Sequence, residues 1–242
     1  MCNFFSFVTD PVNHPAEYYY FDWEYRKENL DDGGLDSHSH ICKEFSLRED
    51  VCNKFEFNPL TKEFKIDQIN SERDDSVAAK KWANRLDFKE IVEPLIIKPI
   101  INPLLLPKVE KPTDEQIGWL KEWASVRDSV WASVGNSVWD SVWDSVWDSA
   151  WDSAWDSVRD SVVNSVGASV RDSVWASVWA SAWYSVRAYA SSFFAIDLKY
   201  DFSSAIKLWE SGLVPSFDGT TWRLHSGKSA DVVYEWKPEV QE

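Results

Sequence analysis

Ser137-Val138-Trp139-Asp140-Ser141-Val142-Trp143-Asp144-Ser145-Val146-Trp147-Asp148 sits inside the segment that decides the fold. Serine recurs at every fourth position from Ser125 to Ser185, sixteen times without a miss, and Val or Ala follows each one. The slot after that is mostly Trp, with Arg127, Gly135, Arg159, Val163, Gly167, Arg171 and Arg187 as the exceptions, and the last slot holds Asp, Ala, Asn or Tyr. Trp, Arg and Gly differ in one base of a triplet, as Asp, Asn, Ala and Tyr do in another, so a duplicating twelve-base unit accounts for the pattern. Larger blocks were copied too, since Trp123–Val138 and Trp155–Val170 match at most positions.

Two conformations fit a period of four. On an α-helix, at about 100° per residue, each slot drifts by roughly 40° per repeat and winds around the rod, leaving no fixed apolar face. Ser, Val, Trp and Asp are mediocre helix formers, and summed over the repeats the penalty relative to Ala reaches on the order of 20 kcal/mol. A β-solenoid with sixteen residues per coil would instead stack Trp131, Trp147, Val163 and Trp179 in one apolar column. The helix is preferred. Thr113 and Gln116 form a capping box after Pro112, no proline follows until Pro215, and Arg187-Ala188-Tyr189-Ala190 leaves the repeat in helix-forming residues. In a helical rod, Gly135 and Gly167 are the expected break points. Exposed indoles on a lone helix would aggregate, so Trp131, Trp139, Trp143, Trp147, Trp151, Trp155, Trp175, Trp179 and Trp183 form the expected interaction surface.

Ordinary complexity flanks the repeat, and the fold class expected is α+β. Residues 1–94 read as a small N-terminal α+β domain, 95–112 as a proline-rich linker, 113–190 as capped helix and repeat rod, and 191–242 as a helix-hairpin cap. Lys54–Phe57 and Glu63–Ile66 alternate apolar with polar around an Asn58-Pro59 turn, which predicts a hairpin. Asp74–Leu86 reads as a helix, and Asn3–Ser6 as an edge strand. Pro215–Gly219 reads as a turn, and Thr221–Leu224 and Asp231–Trp236 as paired strands.

A net charge of -15 with no Lys/Arg run argues against nucleic-acid binding. The longest apolar run, Leu95–Pro107, is broken by Lys98, Pro99, Asn102 and Pro103, so no membrane association is expected. Three cysteines at irregular spacing suit a reducing cytosol, and no secretory leader is recognisable at Met1–Thr9, so the expected location is cytoplasmic.

Cys2-Asn3-Phe4-Phe5-Ser6, Tyr20-Phe21-Asp22-Trp23, Asp36-Ser37-His38, Asn58–Phe64, Asp67–Asn70, the Ser-Val-Trp-Asp tetrads and Gly212–Gly219 carry a resemblance. Together they resemble uncharacterised tetrapeptide-repeat proteins of bacteriophages and prokaryotic mobile elements. The resemblance implies a phage or mobile-element setting, hence a host-cell cytoplasm, and no particular chemistry.

The densest set of potential ligands is His38, His40 and Cys42, with Cys52 ten residues on; imidazole and thiolate suit zinc, but the spacing matches no common zinc motif. Alternatively Asp36 or Ser37 caps a helix whose histidines lie on its surface and whose Cys42 is in the core. Cys2 would become N-terminal after Met removal, combining a thiolate with an α-amine, and His38 or His40 would then serve as base. Asp67, Asp74 and Asp75 are further carboxylates in reach by sequence, better read as caps. No phosphate loop, dinucleotide fingerprint, serine elbow or zinc-protease motif is present, so no cofactor is expected.

The leading expectation is a non-catalytic binding or assembly protein whose Trp-rich repeat rod contacts a protein partner or a second copy of itself. The alternative is an enzyme or metal-binding protein built on Cys2 or on His38, His40 and Cys42. A third reading, mimicry of DNA by Asp140, Asp144, Asp148, Asp152 and Asp156, is weakened by the Trp between them.

Overall fold

The computed structural model describes residues 5–10, 16–29, 34–139, 152–156, 165–166, 175–198 and 200–238, with backbone alone over 127–139 and 175–179. The chain is α+β and forms two compact units, one of residues up to Lys98 and the other of Pro99–Val138 with the described residues after 151.

The first unit is a four-stranded antiparallel sheet with helices packed on it. Strand β1 (Phe5–Thr9) lies between β2 (Tyr18–Tyr19) and β3 (Asn53–Phe57), and β4 (Phe64–Gln68) pairs with β3 on the outside. Phe5 and Ser6, expected in an edge strand, therefore lie in a central one, while Asn3 and Phe4 lie outside the described residues. Phe5 pairs with Phe57 and Phe7 with Phe55, and the run Phe5–Thr9 is buried along its whole length. A strand enclosed on both faces carries a near-continuous apolar run, as Phe5, Phe7 and Val8 do. The β3–β4 hairpin forms where expected, and Asn58 shapes its turn by accepting from the Leu60 and Thr61 amides. Full burial of Phe5, Phe7, Phe55, Phe57 and Phe88 contributes about 2 kcal/mol each.

Helices α1 (Trp23–Glu28), α2 (His38–Glu44) and α3 (Ser76–Ala83) complete this unit. Asp22 caps α1 by accepting from the Tyr25 amide at 2.9 Å. Ser37 occupies the cap position of α2 without a side-chain cap bond, and Asp36 is engaged elsewhere, so the expected cap there does not form. α3 buries Ala79 and Ala83, while its Trp82 stacks on Tyr18 with centroids 4.2 Å apart and rings 5° from parallel.

The second unit begins with the proline-rich strap. It contains one 3₁₀ turn, Pro103–Leu105, capped by the Asn102 side chain. Helix α4 (Asp114–Trp139) then starts at a capping box, with the Thr113 hydroxyl accepting from Gln116 N and the Gln116 side chain accepting from Thr113 N. It runs through Gly135 without a break, contrary to expectation, because a glycine in a helix interior costs only about 1 kcal/mol relative to Ala. Gly167 lies outside the described residues.

Every described stretch of the repeat, in α4, at 152–156, at 165–166 and in α5 (Trp175–Ser191), is helical. No strand of the β-solenoid alternative occurs among the described residues.

α5 packs on a three-stranded antiparallel sheet in the order β5 (Val214–Phe217), β6 (Trp222–Ser226), β7 (Asp231–Trp236). The expected β6–β7 hairpin is present, but Pro215–Phe217 belongs to a strand and not to a turn. Proline is tolerated because β5 is an edge strand. The turn lies at Asp218–Thr221, where the Asp218 carboxylate accepts from the Thr220 and Thr221 amides. Helix α6 (Ser203–Glu210) closes with Leu213 N bonding to Leu208 O and Gly212 N to Trp209 O. That pattern places Gly212 at φ +82°, a conformation open to glycine at little cost. Among the described residues no helix is long and apolar enough to cross a membrane.

Candidate functional site

The repeat presents different slots to the interior at its two ends. At the start of α4, Trp123 is fully buried edge-on against Phe202, with centroids 6.4 Å apart, while Ser125 is exposed. In α5 the serine and small-residue slots face inward: Ser181, Ala182, Ser185, Val186, Tyr189 and Ala190 are all buried. These positions recur every four residues, and a drift of about 40° per repeat keeps them on one side over two turns. The expectation of no fixed apolar face thus fails over the length of one short helix. Between α4 and α5 the inward slot differs.

Small inward residues let α5 approach the sheet closely. Ser181 Oγ accepts from the backbone amide of Phe217 at 2.8 Å, joining a repeat serine to strand β5, and the Ser185 hydroxyl donates to Ser181 O one turn back. The indole slot lies at the boundary: Trp183 is half-buried, and the Arg187 guanidinium sits 4.0 Å from its ring centroid. Arg in the Trp slot thereby makes an i,i+4 cation–π contact with the Trp before it. In 152–156 the same ordering holds, with Ser153 and Ala154 buried, Trp155 half-buried, and Asp152 and Asp156 exposed. Of the other expected surface residues, Trp131, Trp139, Trp175 and Trp179 are described in backbone only, and Trp143, Trp147 and Trp151 lie outside the described residues.

The strap is fastened to this unit by aromatic side chains. The Tyr189 hydroxyl accepts from Ile101 N at 2.8 Å, and Trp209 Nε1 donates to Ile101 O at 2.8 Å, while the Tyr189 and Trp209 rings stack at 5.4 Å. Burial pushes the Tyr189 phenol up to about 12, so it is a neutral hydrogen-bonding group. Further along, Val109 N donates to Ser226 Oγ, which donates to Gly212 O.

In the first unit the candidate ligands separate. His38 is buried, contrary to the surface position expected; its Nε2 lies 3.0 Å from Phe55 O and its Nδ1 3.5 Å from the Asp67 carboxylate. His40 packs edge-on against Phe21 and Tyr25. Cys42 and Cys52 are both buried and carry free thiols. Burial raises the Cys42 thiol, and burial with the Cys42 neighbour pushes Cys52 up to about 12, which disfavours the thiolate that a nucleophile or metal ligand requires. Among the described residues no three His, Cys, Asp or Glu side chains converge as a metal ion would need. Asp74 accepts from Ser76 N and Asp75 from the Asn53 side chain, so both serve the local fold. Cys2 lies outside the described residues.

Two polar constructions had no sequence signal. Arg26 is fully buried, donating from Nη2 to Asp36 Oδ1 at 2.8 Å, from Nη1 to Oδ2 at 3.3 Å and from Nε to Phe21 O at 2.7 Å. His225, also fully buried, has Nδ1 3.0 Å from Ala230 O and Nε2 2.7 Å from Ser216 Oγ. A carbonyl can only accept, so Nδ1 carries the proton and Ser216 donates to Nε2. This is the first half of a nucleophilic serine pair, but the Ala230 carbonyl, where a triad would have a carboxylate, accepts from Nδ1, and both residues are fully buried. No family model matches the chain, and neither a curated protein nor a solved structure matches it.

Proposed function

We propose that the protein is a non-catalytic binding or assembly protein whose Trp-rich repeat helices are its protein-interaction surface. The observation that carries this reading is the ordering of slots at Asp152–Asp156: the small residues face inward, Trp155 is half-buried, and the carboxylates are exposed. Trp183 in α5 occupies the same boundary position. Rigid aromatic side chains at the margin of a packed helix offer contact area at low entropic cost, with charged groups beside them to set specificity. The buried Cys42 and Cys52 thiols and the enclosed Ser216–His225 pair support a chain that works by contact and not by turnover. The resemblance of its tetrads to those of bacteriophage and mobile-element proteins supports a role in such a setting, in host cytoplasm.

Multi-angle light scattering of the full chain across concentration tests it. The expected result is a mass above one chain, reduced in a W155S/W183S variant with unchanged circular dichroism. A monodisperse monomer that retains nothing from a bacterial lysate would overturn the reading.

A further inference from the structure

Val77, Lys80, Lys81, Asn84 and Arg85 line one open concavity of about 430 Å³ on the first unit. Their spacing, i, i+3, i+4, i+7 and i+8, makes them a single stripe along α3 and the turn that follows it. The other side of α3 is the packed one, holding Ala79, Ala83 and the Trp82–Tyr18 stack. The stripe itself is solvent-exposed, and Val77 stands 69% accessible.

Its charge is anomalous for this chain. The net charge is -15, yet Ser76–Leu86 contains Lys80, Lys81 and Arg85 and no acid. None of the three cations makes an ion pair with a described residue. Their aliphatic stems and the Val77 methyls form an apolar floor, with the charged ends at its rim. A ligand suited to it carries flat apolar groups and closely spaced carboxylates.

The chain contains such a ligand. From Asp140 to Asp156 there are five aspartates and four tryptophans with no Lys or Arg, each of those Trp being followed directly by Asp. An indole over the Val77 floor would receive cation–π contact from the lysines, and the adjoining aspartate would meet the rim. We propose that the α3 stripe docks the Asp140–Asp156 stretch of a second copy of the chain. The inference rests on the assembly reading above and assigns it a receptor face.

Sedimentation equilibrium of the full chain tests it, using wild type, K80E/K81E/R85E, and D140K/D144K/D148K. All three stripe positions are exposed, so the first variant keeps its circular dichroism. The expected result is self-association that weakens between about 0.05 and 0.5 M salt and by about tenfold or more in either variant alone, with mixing of the two variants restoring a dimer. Association of K80E/K81E/R85E as tight as wild type sinks the stripe proposal while the assembly reading stands. A wild type monomeric at every concentration sinks both. A mass excess that nuclease removes identifies another polyanion as the occupant and overturns the proposal.

Discussion

Ser216 and His225 face each other across neighbouring strands β5 and β6, and the 2.7 Å hydrogen bond between them is sealed from water. Burial drops the imidazole from 6.5 to about 4, so the folded chain holds it neutral. The unfolded chain binds this proton more readily, and stability therefore falls as pH falls. The contribution is fully present above pH 6.5 and is lost between there and about 4, amounting to about 3 kcal/mol at most. Urea denaturation at stepped pH should show a shallower decline in H225Q, whose side-chain amide can meet both partners. Parallel declines in the two proteins would show that His225 is not the titrating group.

The Arg26–Asp36 pair should behave as a buried ion pair does when one member is lost. D36A strands a guanidinium in the core and is expected to cost about 3 to 5 kcal/mol, whereas R26M/D36L should recover most of that. Hydrogen exchange of the β1 and β3 amides reads the stability of this unit directly. A D36A protection pattern matching wild type would mean that the guanidinium finds water.

Trp209 and Trp123 are both fully buried, but only Trp209 has a described partner for its indole N–H. W209F leaves Ile101 O without its donor, while W123F removes a buried donor that no described group accepts. W209F should therefore cost about 2 kcal/mol more than W123F in thermal or urea unfolding. Equal losses would show that the strap bond adds nothing.

Cys42 and Cys52 should resist alkylation. In a C2S background at neutral pH, iodoacetamide is expected to leave both unmodified in the folded chain and to label both in urea, as read by peptide mass mapping. Fast labelling of either in the native chain would revive the nucleophile or metal reading of the first unit.

What the sequence showed plainly was local. The Thr113–Gln116 box, the Asn58 turn and the hairpin of Thr221–Leu224 with Asp231–Trp236 each depend on residues a few places apart, and each formed. Central placement of β1 depends on pairing Phe5 with Phe57, a relation that no local pattern carries. Arg26 looked like any helical cation, because nothing within a turn of it names Asp36 as its partner. The inward slot differs between α4 and α5, and the inward serines of α5 became visible only once that helix was short and docked on β5.

Tyr189 reaches back 88 residues to hold Ile101, so the repeat is spanned by a closed ring of chain fastened on either side within one unit. One further 32-residue block, the spacing at which Arg127 and Gly135 recur as Arg159 and Gly167, would enter the sequence wholly between these two anchors and alter neither of them. Tetrads can then be gained or lost between the anchors while Ile101, Tyr189 and Trp209 keep their bonds, which makes repeat number a variable that the clasp does not constrain.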